Sequence, residues 1–268
     1  MTMTLPKALV DGAIVTKRNL IKIKRVPDLL VFSTMSPIMF ILLFAYVFGS
    51  AIHPPGGVSY HEFLIPGIFV QTVVFGSTIT GAGLAEDIQK GIIDRFRSLP
   101  MARSAVLVGR TTSDLLNNVL VVVIMTATGL LVGWRIRTGF VDAAEGFLLL
   151  LAFAYAMSWV MAFVGLIVPT PEVVNNASFM VIFPFTFIAN TFVPTQGFNA
   201  VLKAIANWNP VSAVAQAARE KFGNTGTSHP IHTWPLLHPA VYTLIWVVGL
   251  VAIFLPLSVR QYRKAASR

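Results

Sequence analysis

Apolar residues occupy most of this chain in long runs that short polar stretches separate. The runs cover about residues 29–50, 63–84, 114–133, 146–168, 173–193 and 237–257. A helix of about 20 apolar residues is long enough to cross the hydrocarbon core of a bilayer. The pattern therefore predicts an all-α integral membrane protein with six transmembrane helices over residues 29–257.

Three segments depart from this alternation of long apolar runs and short polar stretches. Residues 1–28 place apolar positions three and four apart among clustered basic residues, which predicts an amphipathic helix on the cytoplasmic membrane surface, or else a partly ordered tail. Residues 198–222 are too polar for a clean span and predict short re-entrant or interfacial helices before the last span. Residues 258–268 predict a basic cytoplasmic tail.

Composition and charge support a membrane location and an orientation. Only 12% of the residues are charged, whereas soluble domains carry about 25%. With the N-terminus inside, 15 of the 20 Lys and Arg residues fall in inner segments, which predicts that both termini are cytoplasmic. The net charge of +9 then indicates contact with anionic lipid rather than with nucleic acid.

No motif for catalysis or for a cofactor occurs in the sequence. A phosphate-binding loop is absent, so another chain must hydrolyse ATP if ATP powers this protein. The chain has no cysteine, and we interpret His229 and His232 as solvated loop residues because Pro230 breaks the helix that would align them on a metal. We therefore expect no catalytic residue, no metal site and no cofactor on this chain.

Ionisable residues are predicted to lie outside the spans. Glu62, Asp114, Glu145 and Glu172 all fall at span edges or in turns. An ion-coupled carrier usually needs a charged residue near the bilayer centre. The pattern disfavours an ATPase-independent secondary transporter or channel, which remains the alternative, and a membrane-embedded lipid enzyme is weaker still.

The longest charged stretch, residues 85–110, has an apolar ridge. The residues on this helical stripe are Ile88, Ile92, Phe96 and Leu99. A short cytoplasmic helix with such a ridge fits a groove on a partner protein. Gly91 would allow close backbone approach and Pro100 would end the helix. An ordinary basic loop that sets topology explains the stretch equally well.

Two ordered motifs resemble a known family. The first is Gly91…Asp94-Arg95-Phe96-Arg97-Ser98-Leu99-Pro100-Met101…Arg103…Gly109-Arg110. The second is Asn190-Thr191-Phe192-Val193-Pro194, followed by Asn209-Pro210-Val211-Ser212. Together they resemble the type-2 ATP-binding-cassette (ABC) export permeases, and most of all the daunorubicin/doxorubicin-resistance permeases of actinobacteria.

The resemblance implies the permease subunit of an ATP-driven exporter for hydrophobic or amphipathic compounds in a bacterial inner membrane. Two permease chains, identical or related, would pair, and ABC-type ATPase subunits that hold ATP and magnesium would dock below them. The implied coupling residues are Glu86, Gly91, Ile92, Arg95, Phe96, Arg97, Leu99, Pro100 and Arg103.

Spans two and five carry the candidate substrate path. Its candidate residues are Gln71, Phe75, Phe183, Phe187 and Asn190. An aromatic, uncharged wall suits a bulky amphipathic molecule, although phenylalanine is equally at home against lipid. The small pair Ser77 and Gly81 in span two favours close helix packing.

Overall fold

A computed structural model describes residues 27–54, 56–92, 103–226 and 233–265, together with Thr16 and Ile21. This described part is all-helical. Its α-helices are α1 (Pro27–Val47), α2 (Tyr60–Gly76), α3 (Thr78–Gln89), α4 (Arg103–Val132), α5 (Phe140–Ile167), α6 (Pro171–Ile188), α7 (Ala200–Trp208), α8 (Pro210–Phe222), α9 (Trp234–Leu237) and α10 (Pro239–Ala265). A short 3-10 turn at Thr195–Gly197 precedes α7.

Four helical stretches in the described residues are long and apolar enough to cross a membrane. They are Tyr60–Gln89, Ala105–Val132, Phe140–Ile167 and Pro239–Lys264. Helix α1 supplies a shorter apolar stretch, Thr34–Val47. Helix α6 has 18 residues, but Glu172, Asn175 and Asn176 in its first turns make it less apolar than the four. The expected all-α membrane architecture is confirmed, while length and composition support four of the six expected spans.

The second expected span lies within the candidate span Tyr60–Gln89, in which the two helical segments α2 and α3 meet at Ser77. Ser77 separates α2 from α3, and its backbone N–H is shared between the carbonyls of Val73 and Val74. Its hydroxyl donates a second hydrogen bond to Val74 O at 2.6 Å. A serine that binds carbonyls of the preceding turn competes with the regular helical pattern, but Ser77 keeps helical dihedral angles, with φ −64° and ψ −21°.

The polar stretch before the last span folds into two short helices because asparagine stops one and starts the next. The Asn199 side chain caps α7, and the Asn209 side chain accepts a hydrogen bond from Val211 N at 2.9 Å to cap α8. Pro210 follows at the first helical position, where its missing N–H costs nothing.

The helices pack around small residues at two crossings. A Cβ on Gly165 of α5 would lie 2.2 Å from Gly81 O of α3, so these backbones touch. A Cβ on Gly67 of α2 would lie 2.1 Å from Thr191 O, in the turn that follows α6. Glycine is required at both places because any side chain would force the backbones apart.

Alternating helix directions give the bundle two ends. We call the end that carries residues 48–59, 133–139 and 189–199 the upper end, and the end with Gln89, Arg103 and residues 168–170 the lower end. At the upper end Trp134 Nε1 donates to Asn224 Oδ1 at 2.7 Å, and Arg137 forms an ion pair with the buried Glu62 at 2.6 Å. The α4–α5 loop is thereby fastened both to the turn that follows α8 and to α2.

Candidate functional site

A cavity of about 380 Å³ lies between α1, α2, α3, α4 and α6 and opens to one side of the bundle, where the lining residues Ser36, Ile79 and Phe179 are exposed. Its lining residues are Ser36, Pro37, Phe40, Gln71, Thr72, Phe75, Gly76, Thr78, Ile79, Asn117, Asn118, Val121, Phe179 and Phe183. The junction of α2 and α3 at Ser77 lies beside this cavity, since Gly76 and Thr78 both line it.

The lining combines phenylalanine rings with uncharged polar groups. Four rings face hydroxyl and amide side chains, and none of the lining residues is charged. A mostly apolar pocket with a few hydrogen-bonding groups is typical of sites for drug-sized molecules. The cavity therefore suits a molecule with a large apolar surface and a few polar substituents better than it suits a small ion.

A stack of phenylalanine rings runs from the cavity toward the upper end. Ring centroids of Phe179 and Phe183 are 5.0 Å apart, and those of Phe183 and Phe187 are 4.2 Å apart. The stack continues to Phe192 at 4.7 Å and from there to Phe44 of α1 at 4.8 Å. Stacking at this range is favourable, so the rings form one continuous aromatic column.

The structure brings most of the predicted substrate-path residues together. Gln71, Phe75 and Phe183 line the cavity, and Phe187 lies next in the aromatic column. Asn190 lies elsewhere: its backbone N–H donates to Ser212 Oγ at 3.0 Å, in α8, and its backbone carbonyl accepts a bond from that helix. The role of these residues in transport stays a prediction.

The predicted coupling residues are only partly described. Glu86 lies near the lower end of α3 and pairs with Lys90, while Arg103 is the first residue of α4. Arg95, Phe96, Arg97, Leu99 and Pro100 lie outside the described residues, as do His229, His232 and most of the segment 1–26.

Within the described residues, Ile88 and Ile92 of the predicted apolar ridge do not lie on a single helix; Phe96 and Leu99 lie outside the described residues. Helix α3 ends at Gln89, and Gly91 has a left-handed φ of +65°. A helix commonly ends in this way at a glycine, which adopts positive φ without steric cost. Ile88 therefore belongs to α3, whereas Ile92 follows the turn.

The expectation that Asp114 lies at a span edge is wrong. Helix α4 begins at Arg103 rather than near residue 114, so Asp114 falls inside the candidate span Ala105–Val132 and is only 6% exposed. Thr80 of α3 donates to its carboxylate at 2.5 Å, and Arg110 Nε lies 3.4 Å from it. A buried carboxylate persists in a helix when a cation and a hydroxyl compensate it.

Arg219 is a structural residue that the sequence analysis missed. It is 1% exposed, donates to the carbonyls of Phe63 at 2.8 Å and Asn190 at 2.6 Å, and lies 3.8 Å from the centre of the Phe63 ring. Burial lowers the pKa of its guanidinium to about 9, so it stays charged at neutral pH. The only sequence signal is its position beside the small residues Ala217 and Ala218.

These features define the class of protein: a helical integral membrane protein built around an uncharged cavity at mid-depth. The chain belongs to the ABC-2 type transporter family, whose model matches residues 12–222. Both motifs that carry the family resemblance fall inside the matched range, so the predicted membership is confirmed.

Two relatives place the chain within this family. It is 34% identical over 246 residues to a daunorubicin resistance ABC transporter permease, DrrB1, of Streptomyces coeruleorubidus, covering 92% of this chain and 83% of that protein. It is 23% identical over 232 residues to a probable doxorubicin resistance ABC transporter permease, DrrC, of Mycobacterium tuberculosis, covering 86% of this chain and 80% of that protein.

Proposed function

We propose that this chain is the membrane permease subunit of an ATP-driven exporter for hydrophobic or amphipathic compounds. The observation that carries the proposal is the 34% identity to a daunorubicin resistance permease across 92% of the chain. The uncharged, phenylalanine-lined cavity supports the same class of substrate. Gln71 and Asn118 would bind its polar groups there, and Phe75, Phe179 and Phe183 would pack on its rings.

The energy would come from a separate ABC-type ATPase subunit that holds ATP and magnesium, with no cofactor on this chain. Residues 86–100 would dock on that subunit. The position of the segment supports this, because it connects α3 to α4 where both reach the lower end. Apolar contacts of Ile92, Phe96 and Leu99 would dominate docking, since each exposed arginine pair contributes only about 0–1 kcal/mol.

In the membrane, α1, the α2–α3 pair, α4, α5, α6 and α10 would form six spans. The lower end would face the cytoplasm of a bacterial cell, which puts both termini inside. Helices α7 and α8 would lie on the outer side as re-entrant or interfacial elements. A second permease, identical or related, would complete the transporter, and membrane lipid would surround it.

The docking proposal is tested by purifying the tagged chain from its native membranes in mild detergent and identifying partners by mass spectrometry. A stoichiometric ATPase with a phosphate-binding loop is expected. The double variant Phe96→Glu with Leu99→Glu should lose that partner, because two charges would enter an apolar groove. The matched control is Phe140→Glu with Val141→Glu, two residues at the upper end that are 88% and 69% exposed.

Export is tested in inside-out vesicles that contain the chain and the co-purified ATPase. Doxorubicin fluorescence should report ATP-dependent uptake into the vesicles. An unmodified chain that purifies without any ATPase, or vesicles that accumulate doxorubicin only under an ion gradient, would contradict the proposal.

A further inference from the structure

Helices α3 and α4 are the two stems of the proposed ATPase-docking segment. Helix α3 enters the segment at Gln89, and α4 leaves it at Arg103. Above the segment, three polar residues connect the stems: the buried Thr80 on α3, and the partly buried Arg110 and the buried Asp114 on α4. We call these three residues the α3–α4 clamp.

The α3–α4 clamp consists of two hydrogen bonds between the helices and one ion pair within α4. Thr80 Oγ1 donates to Asp114 Oδ2 at 2.5 Å, and Arg110 Nε lies 3.4 Å from the same oxygen. Arg110 Nη2 reaches across to α3 and donates to Ile79 O at 2.9 Å. Two hydrogen bonds therefore connect the stems, one from Thr80 to Asp114 and one from Arg110 to Ile79 O.

A glycine makes room for the α3–α4 clamp. A Cβ on Gly83 would lie 2.0 Å from Arg110 Nη2, so the guanidinium occupies the space that a side chain would fill. The other face of α3 is closely packed as well, since Gly81 meets the backbone of α5 at Gly165. The α3–α4 clamp thus joins α3 to α4 at a place where the backbone of α3 is also in contact with α5.

The α3–α4 clamp lies directly beneath the cavity. The cavity is lined by Thr78 and Ile79, which directly precede Thr80 on α3, and by Asn117 and Asn118, about one turn above Asp114 on α4. Ile79 belongs to both, because its carbonyl binds Arg110 while the residue faces the cavity. The docking segment, the α3–α4 clamp and the cavity therefore lie in this order along α3 and α4, from the lower end upward.

Charged groups inside a membrane protein resist separation. Arg110 and Asp114 both lie on α4, so separating α3 from α4 would break the hydrogen bond from Thr80 to the Asp114 carboxylate and the one from Arg110 to Ile79 O. Each charged group would lose a polar partner in a medium of low dielectric constant, where that loss costs more than in water. Two helices joined in this way move together more easily than they move apart. If the docking segment moves, α3 and α4 would then move with it as one body, and the cavity wall that they form would be displaced by a similar distance.

We propose that Thr80, Arg110 and Asp114 form the element that transmits movement of the docked ATPase to the floor of the cavity. Arg110 and Asp114 act as positioning residues: they hold α3 and α4 as one rigid pair and do not bind the transported molecule. This role rests on the proposed function, since it needs an ATPase docked at the lower end.

Two variants open the α3–α4 clamp by different routes. Gly83→Ala places a methyl group where the Arg110 guanidinium lies, and its matched control is Gly249→Ala in α10, where a Cβ would meet open space. The double variant Arg110→Met with Asp114→Leu removes both charges together. Replacing a buried ion pair by apolar residues is often neutral for stability, so this variant is expected to fold.

Both variants are measured as complexes with the ATPase in inside-out vesicles, with ATP hydrolysis and doxorubicin uptake followed together. We expect the ATPase to co-purify and basal hydrolysis to persist. Uptake per ATP hydrolysed should fall about tenfold, the size of an ordinary coupling free energy between two sites. Gly249→Ala should behave as the unmodified complex.

The outcomes separate the two proposals. Uptake within about twofold of the unmodified complex in both variants would overturn the role of the α3–α4 clamp and leave the exporter intact. Loss of the ATPase from both variants would also overturn it, because the residues would then act in assembly. If the unmodified chain recruits no ATPase, the proposed function itself fails.

A second readout follows the cavity floor directly. The chain has no cysteine, so Asn117→Cys introduces a single thiol at the cavity wall. Its rate of maleimide labelling should change when nucleotide binds the ATPase. The change should disappear when Gly83→Ala is added and persist with Gly249→Ala; a change that survives Gly83→Ala would overturn the proposal.

Discussion

Two neighbouring cationic residues of α8, Arg219 and Lys221, lie in different environments. Arg219 is fully buried against carbonyls of α2 and of the turn after α6, whereas Lys221 pairs with Asp142 and Glu145 at the surface. Arg219→Met should lower the free energy of unfolding by about 2–4 kcal/mol, because charged hydrogen bonds are lost and carbonyls stay buried. Lys221→Met should cost only about 0–1 kcal/mol.

Thermal unfolding in detergent, followed by tryptophan fluorescence, measures both variants under the same conditions. Equal losses for Arg219→Met and Lys221→Met would contradict the assignment of Arg219 as the residue that fastens α8 to the bundle.

Gly67 is a second residue whose effect can be predicted from its neighbours. Gly67→Ala would place a methyl group 2.1 Å from Thr191 O and should lower the free energy of unfolding by about 1–3 kcal/mol, since backbone must move. Gly249→Ala gives the same chemical change in open space and should stabilise slightly, because alanine is the better helix former. A Gly67→Ala protein as stable as the control would contradict this close contact.

At the scale of elements, α6 carries phenylalanines that line the cavity and others that do not. Phe183 lines the cavity and stacks on Phe179 and Phe187, while Phe185 on the same helix is outside the lining. Phe183→Ala should weaken doxorubicin binding by about two- to tenfold, the value of one aromatic contact. Fluorescence titration of the purified complex measures it, and Phe185→Ala is the matched control. Equal effects of the two changes would place the binding site elsewhere.

Elements were predictable to different degrees from the sequence. The apolar run over residues 146–168 and the helix α5 nearly coincide, because length and hydrophobicity alone specify such a helix. The junction at Ser77 and the early start of α4 could not be predicted from length and hydrophobicity alone. Ser77 binds carbonyls of the preceding turn of its own helix, and Asp114 finds a partner in Thr80 of α3; hydropathy counts such polar residues as if they had no partner.

At the scale of the whole molecule, the orientation in the membrane can be tested at single positions. His53 is exposed at the upper end and Lys90 at the lower end. In the cysteine-free chain, a membrane-impermeant maleimide should label His53→Cys in intact cells, and Lys90→Cys only after the membrane is opened. The bias of Lys and Arg toward inner segments is the physical reason. The opposite labelling pattern would invert the proposed topology.

The sequence by itself determined the class of this protein. Apolar runs of membrane length, few charges and two short ordered motifs are local properties, and they sufficed for an all-helical permease of the ABC-2 type family. The absence of a phosphate-binding loop in the sequence is also the reason why we propose that another chain hydrolyses ATP.

Only the tertiary structure decided which residues meet. The cavity, the pairing of Asp114 with Thr80 and the burial of Arg219 join residues far apart in the chain. Such contacts depend on how each helix is rotated about its axis and where it crosses its neighbours. Hydrophobic periodicity leaves that rotation undetermined in helices that are apolar on every side, so packing of small residues and pairing of buried polar groups decided it.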